Sequence, residues 1–170
     1  MKEDVAAWER FLCVLDWILA LEVRYANNLQ YSLVNVSFHD KSALGNTYGA
    51  KGAVTLLVET AADMRRAFRK TDLVARNGTD IWVLLPCASH ESVLLKISRL
   101  VEIAAENGLD IVDRDVSIFS VSNAALLEGR QFDSPLDFLD FLGNRKSVAL
   151  RWDGASAPSF GDRLPAAPCS

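Results

Sequence analysis

The chain of 170 residues carries 18 basic and 22 acidic side chains, for a net charge of −4, and is 50% apolar. A chain of this length buries roughly 70% of its extended surface on folding, which implies one self-sufficient globular domain and excludes intrinsic disorder. The acidic balance excludes a broad nucleic-acid face, since such faces neutralise phosphates with clustered Lys and Arg; a small local anion site stays open.

In chain order, Trp8, Phe11, Leu12, Leu15, Ile18, Leu19 and Val23 follow the spacing of one helix face, predicting an N-terminal amphipathic helix over residues 1–28. Residues 32–38 (SLVNVSF) alternate and are rich in β-formers, as a strand should be. Residues 39–52 carry three glycines and several small polar residues and read as a loop. Val54, Leu57, Val58, Ala61, Met64 and Phe68 return to helical spacing over 53–70. Arg65, Arg66, Arg69 and Lys70 load the last turns of that helix, where cations favour the negative end of the dipole. Two short β-runs, 73–75 and 81–85, flank Asn77-Gly78 and predict a hairpin.

Ser89, with Glu91 and Ser92 behind it, opens a third helix that runs to Asn107-Gly108, where glycine suits a C-cap. Residues 116–121 (VSIFSV) form another strand, Ser134-Pro135 starts a short helix over 136–142, and 147–152 reads as a last strand. Residues 153–170, small, polar and proline-containing, read as a disordered tail. The order is that of an α+β fold with a ferredoxin-like or nucleotide-cyclase palm layout: a central antiparallel sheet, residues 29–152, with helices packed on it.

The three cysteines, Cys13, Cys87 and Cys169, are odd in number and widely spaced, so they form neither a disulfide framework nor a metal knuckle. The longest apolar run, 11–21, contains Asp16 and is about half the length of a membrane span. Glu3 and Asp4 beside Lys2 do not make a basic signal-peptide start. These features imply a cytoplasmic protein without a membrane span. His39 and His90 have no matched Cys or carboxylate cluster and read as surface residues.

At the hairpin the sequence becomes specific. Arg69-Lys70-Thr71-Asp72-Leu73-Val74-Ala75-Arg76-Asn77-Gly78-Thr79-Asp80-Ile81-Trp82-Val83-Leu84-Leu85-Pro86 resembles the centre of a GGDEF domain, the family of the diguanylate cyclases. In that family a helix ends in RxxD, a D-x-V-A-R-Y strand leads into the signature hairpin, and an apolar strand ends in proline. Upstream, Asn46-Thr47-Tyr48-Gly49 resembles the family's N-D-x-Y-G-H loop, and Leu21-Glu22-Val23-Arg24 the helix before its first strand. The resemblance covers residues 15–121.

The departures from the family pattern bear on function. Making cyclic di-GMP from GTP takes carboxylates that hold Mg²⁺ on the triphosphate. The family's first metal aspartate falls on Ser37. The signature reads Gly78-Thr79-Asp80-Ile81-Trp82, with threonine for the second glycine and isoleucine for the essential glutamate. The guanine-reading Asn and Asp fall on Gly45 and Val54. The resemblance therefore implies a degenerate domain that is not an enzyme and needs no metal or cofactor, with Asp80 as a turn residue.

Retained is Arg69-Lys70-Thr71-Asp72, where the family places its product-binding inhibitory site. A guanidinium can donate two hydrogen bonds to guanine O6 and N7, and an aspartate can accept from N1–H and N2–H₂. One helical turn would put both side chains on one side. Arg99 falls where the family supplies a second arginine, to stack on a base or pair with a phosphate. Arg130-Gln131-Phe132-Asp133 repeats the RxxD pattern, so only the register against the signature makes the first copy informative.

The plainer alternative for Arg69 and Asp72 is a helix-terminal cation and a surface ion pair, and for Arg99 a solvated helix residue. The expectation is a cyclic di-GMP receptor in bacterial second-messenger and biofilm signalling, which relays occupancy to a protein partner or a homodimer through the N-terminal helix. A nucleotide-independent interaction scaffold is the alternative. A residual diguanylate cyclase would have to work without the missing ligands.

Overall fold

The structure, a computed structural model, describes residues 2–25, 30–38, 41–87, 89–109, 114–120, 130–144 and 150–151. Helix α1 (Lys2–Tyr25) leads into strand β1 (Tyr31–Phe38), and α2 (Lys41–Ala67) follows. The hairpin β2 (Leu73–Asn77) and β3 (Asp80–Pro86) then precedes α3 (His90–Glu106) and β4 (Arg114–Ser120). Helix α4 (Pro135–Asn144) and the two-residue strand β5 (Leu150–Arg151) complete the described elements. The sheet order is β2-β3-β1-β4-β5, with every neighbouring pair antiparallel.

Helices cover both faces of the sheet. On one, Val34, Val36 and Phe38 of β1 and Ile81, Val83 and Leu85 of β3 pack against Leu57, Ala61 and Met64 of α2 and Val93, Ile97 and Leu100 of α3. On the other, Leu33, Trp82, Leu84 and Phe119 meet Phe11, Leu15 and Ile18 of α1 and Phe138, Leu139 and Leu142 of α4. Central β1 is therefore buried along all eight residues. The polar members of its alternating pattern lie inside, and Asn35, 1% exposed, has no hydrogen-bond partner for either amide atom among the described residues.

Segment 39–52 departs from the loop expected of it, because from Lys41 onward the chain is helical. Gly49 interrupts α2 with φ 73° and ψ 158°, so the element is two helical pieces joined at a kink. The first piece is anchored by buried Leu44 and by the Tyr48 hydroxyl, which donates to the Gly108 carbonyl at 2.5 Å. Those tertiary anchors override a glycine content that locally disfavours helix.

The far end of α2 also differs from expectation: the helix stops at Ala67, so Arg69 and Lys70 lie beyond it. The hairpin is present, but Asn77 belongs to β2 and pairs with Asp80, leaving Gly78-Thr79 as the two-residue loop. Gly78 takes φ 62° at the first loop position, a left-handed conformation that glycine adopts without a Cβ clash.

Caps follow the sequence closely. Ser89 Oγ accepts from Ser92 N–H at the start of α3, and Gly108 just past its end has φ 80°. Ser134 Oγ likewise accepts from Asp137 N–H ahead of Pro135. The expected tail, 153–170, and the site of His39 lie outside the described residues, as do Cys169 and most of the last predicted strand.

The apolar stripe of α1 is spent on the protein's own sheet. Trp8 is half-buried and stacks on Phe11, with ring centroids 5.6 Å apart. Trp17 instead points outward, 63% exposed. No helix among the described residues is long and apolar enough to cross a membrane.

Candidate ligand-binding site

Where α2 ends, the chain makes a tight turn over Arg69-Lys70-Thr71-Asp72, closed by the Asp72 N–H donating to the Arg69 carbonyl at 2.9 Å. The two RxxD side chains are thus brought together by a turn rather than by the predicted turn of helix. Arg69 is exposed and makes no ion pair among the described residues, while Asp72 is buried. Facing the turn is one side of α3, Ser92, Leu95, Lys96 and Arg99.

Together these residues line a cavity of about 270 Å³ that Ala67 and Phe68 close from the α2 side. Arg69, Asp72 and Arg99, separated by up to a full helix and hairpin in sequence, share this one depression. Its walls carry three cations and one carboxylate, with exposed Leu95 offering an apolar surface. That combination can take an anion, and a planar base can lie against the apolar part.

Neither Asp72 nor Arg99 stands free. The Asp72 carboxylate, 4% exposed, accepts a short hydrogen bond and ion pair from Lys96. Arg99 donates from Nη1 to Glu102 at 3.0 Å and Glu106 at 3.3 Å along its own helix. The hydrogen bond to Glu102 and the charge of Glu106 hold the Arg99 guanidinium pKa above its ordinary value. Lys96 was missed in the sequence, although its place one turn before Arg99, on the same face, was visible there.

The signature positions lie away from this cavity, at the hairpin. Ser37 is buried and pairs across β1 and β3 with Asp80, so the first metal position and the signature do meet. Ile81 points the other way, fully buried in the core under α2 and α3. Trp82 is buried under α1 and α4 and stacks on Phe119 at 6.4 Å. Asp80 is half-buried, and its carboxylate makes no hydrogen bond among the described residues.

Among the described side chains the donors here are the Asp80 carboxylate and the Ser37 hydroxyl, and the strand register sets Asp115 of β4 opposite Ser37 on its other side. Among the described residues no three His, Cys, Asp or Glu side chains come together as a metal site. Val54 is exposed on α2, and a Cβ at Gly45 would meet nothing within 4 Å, so packing does not impose glycine there.

No family model matches the chain, and no curated protein sequence does. Solved structures do match. The GGDEF domain of YfiN (TpbB) from Pseudomonas aeruginosa is 19% identical with a TM-score of 0.55, over 79% of this chain and 83% of that one. The chain has the fold of a GGDEF domain. The GGDEF domain of DgcB from Caulobacter crescentus, solved in complex with c-di-GMP, is 12% identical with a TM-score of 0.53, over 78% of this chain and 81% of that one. The diguanylate cyclase SiaD of P. aeruginosa, solved with its activator SiaC, is 16% identical with a TM-score of 0.53. That match takes in 83% of this chain but spans about 55% of SiaD. At these identities the likeness is one of fold, and the GGDEF fold by itself leaves the chemistry open.

Proposed function

We propose that this GGDEF-fold protein is a cytoplasmic receptor for cyclic di-GMP that makes none of it, and that it relays occupancy to a protein partner. The observation that carries the reading is the convergence of Arg69, Asp72 and Arg99 on one cavity. Arg69 supplies a planar fork for guanine O6 and N7, Asp72 an acceptor for the N1–H and N2–H₂ edge, and Arg99 a cation for phosphate or base. A solved structure of the same fold holds the same nucleotide, which supports the class of ligand. The proposed absence of cyclase chemistry rests on Ser37 and Ile81, which stand where the family pattern has a metal aspartate and the essential glutamate and offer Mg²⁺ no carboxylate.

For a ligand to signal, it must bind one conformation or assembly better than another. Outward-facing Trp17 offers apolar surface on α1 for a protein contact. Titration calorimetry of cyclic di-GMP into wild type and Arg69→Ala tests the receptor: heat from wild type that the variant loses is expected, and no heat from wild type refutes it. Incubation with GTP and Mg²⁺ is expected to yield no cyclic di-GMP, and product would refute the inactive reading.

A second reading, a nucleotide-independent interaction scaffold, draws on the ion pairs of Asp72 with Lys96 and of Arg99 with Glu102 and Glu106. Those satisfy Asp72 and Arg99 without any ligand. It predicts partner capture that added cyclic di-GMP does not change.

A further inference from the structure

Within the cavity, Lys96 is the cation that the RxxD-plus-arginine set does not account for. Its ammonium sits at the cavity wall, with the side chain 20% exposed, and donates to Oδ2 of Asp72. It also lies 5.8 Å from the centroid of the Phe68 ring, so the aromatic face and the carboxylate hold it between them. Only one of its three donors is engaged with Asp72, and the Asp72 carboxylate has no other partner among the described residues. Arg99, one turn further along α3, is drawn toward Glu102 and Glu106 on the exposed side of the helix.

We propose that Lys96 is a ligand-binding residue of this cavity, which orients Asp72 toward a base and presents its own ammonium to the phosphodiester of the same nucleotide. The inference rests on the receptor reading above. An ammonium on a flexible four-carbon stem can keep one hydrogen bond to Asp72 while a second donor turns to an incoming anion. A guanine edge occupying Asp72 leaves the other two donors of that ammonium available to a linking phosphate. Lys96 would thereby couple base recognition to charge recognition.

Lys96→Gln keeps a hydrogen-bond donor for Asp72 and removes the charge, whereas Lys96→Arg keeps the charge. Calorimetry with cyclic di-GMP at about 50 mM and about 500 mM NaCl separates the roles, because salt screens an ionic contact to the ligand. The Gln variant is expected to bind about tenfold more weakly at low salt, with the gap to wild type narrowing several-fold at high salt, and the Arg variant to stay within about threefold of wild type. Wild-type affinity in the Gln variant at low salt, or a loss identical at both salt concentrations, overturns the proposal.

Failure of the receptor reading looks different: wild type itself then gives no heat. If wild type binds, Arg69→Ala does not and Lys96→Gln does, Lys96 alone is refuted. Should Lys96→Gln not fold, as judged by circular dichroism, Asp72→Asn/Lys96→Gln, free of buried charge, is compared with Asp72→Asn. Weaker binding by the double variant at low salt is expected, and equal binding overturns the proposal.

Discussion

Replacing Asp4 with alanine cuts a three-element tie. Asp4 lies in the first turn of α1 with its side chain 5% exposed. Oδ1 accepts from Arg65 Nη1 of α2 at 3.2 Å, and Oδ2 accepts from Arg76 Nε of β2 at 2.8 Å, with Arg76 Nη2 in ion-pair contact at 2.8 Å. The two arginine side chains are 19% and 16% exposed, and Arg65 Nε is already buried without a partner among the described residues. Removing one partner of a buried pair costs about 3–5 kcal/mol, and the residual water access of both guanidiniums favours the lower end, about 3 kcal/mol.

For a chain of this size that loss lowers Tm by roughly 6–12 °C. Urea unfolding at neutral pH followed by far-UV circular dichroism measures it, with Glu3→Ala, exposed on the same turn, as the control expected within about 0.5 kcal/mol of wild type. The reasoning is refuted if Asp4→Ala costs less than about 1 kcal/mol or no more than Glu3→Ala. In an Arg76→Ala background the cost of Asp4→Ala is expected to shrink, since the two share one interaction.

Leu15→Ala, which empties a fully buried site between α1 and the sheet, is expected to cost about 2–5 kcal/mol, against a near-neutral Trp17→Ala, both read from denaturant midpoints. Gly78→Val keeps open space for the side chain but forces a β-branched residue to φ 62°, costing about 1–2 kcal/mol in thermal unfolding with no steric clash to relieve. Burial raises the Glu22 carboxyl above its ordinary value of 4.5. The folded state therefore holds that proton more tightly than the unfolded chain, and stability falls as pH rises above the ordinary value. Glu22→Gln removes this slope, so the difference in Tm between variant and wild type should grow in the variant's favour from about pH 4 to about pH 7. A constant difference would refute it.

The elements whose signals are local were legible in the sequence. Ser89 and Gly108 bracket α3 as their capping chemistry requires, and the apolar faces of α1 and α3 are the ones that reach the core. What escaped was set at long range. The first piece of α2 is held by Tyr48 reaching Gly108, sixty residues away, which no window around three glycines reveals. The two-residue loop Gly78-Thr79 was legible as a hairpin, but its register depended on Asn77 pairing with Asp80. At the candidate site, the RxxD register and Arg99 could be placed from the family pattern, whereas the ion pair that gives Lys96 its position needs α3 laid against the turn.

Strand order has a kinetic consequence. The hairpin β2-β3 is local and can close on the microsecond scale, while α3 nucleates within its own seventeen residues. Central β1 has no such short route: its hydrogen-bonded neighbours, β3 and β4, both lie beyond the whole of α2 in sequence. Both ladders must bear the loop-closure entropy of the intervening chain before either contributes stability. Insertion of β1 is therefore expected late in assembly. Until it occurs, the strand that becomes the most enclosed in the protein is an unpaired apolar edge, the segment most open to association with another chain.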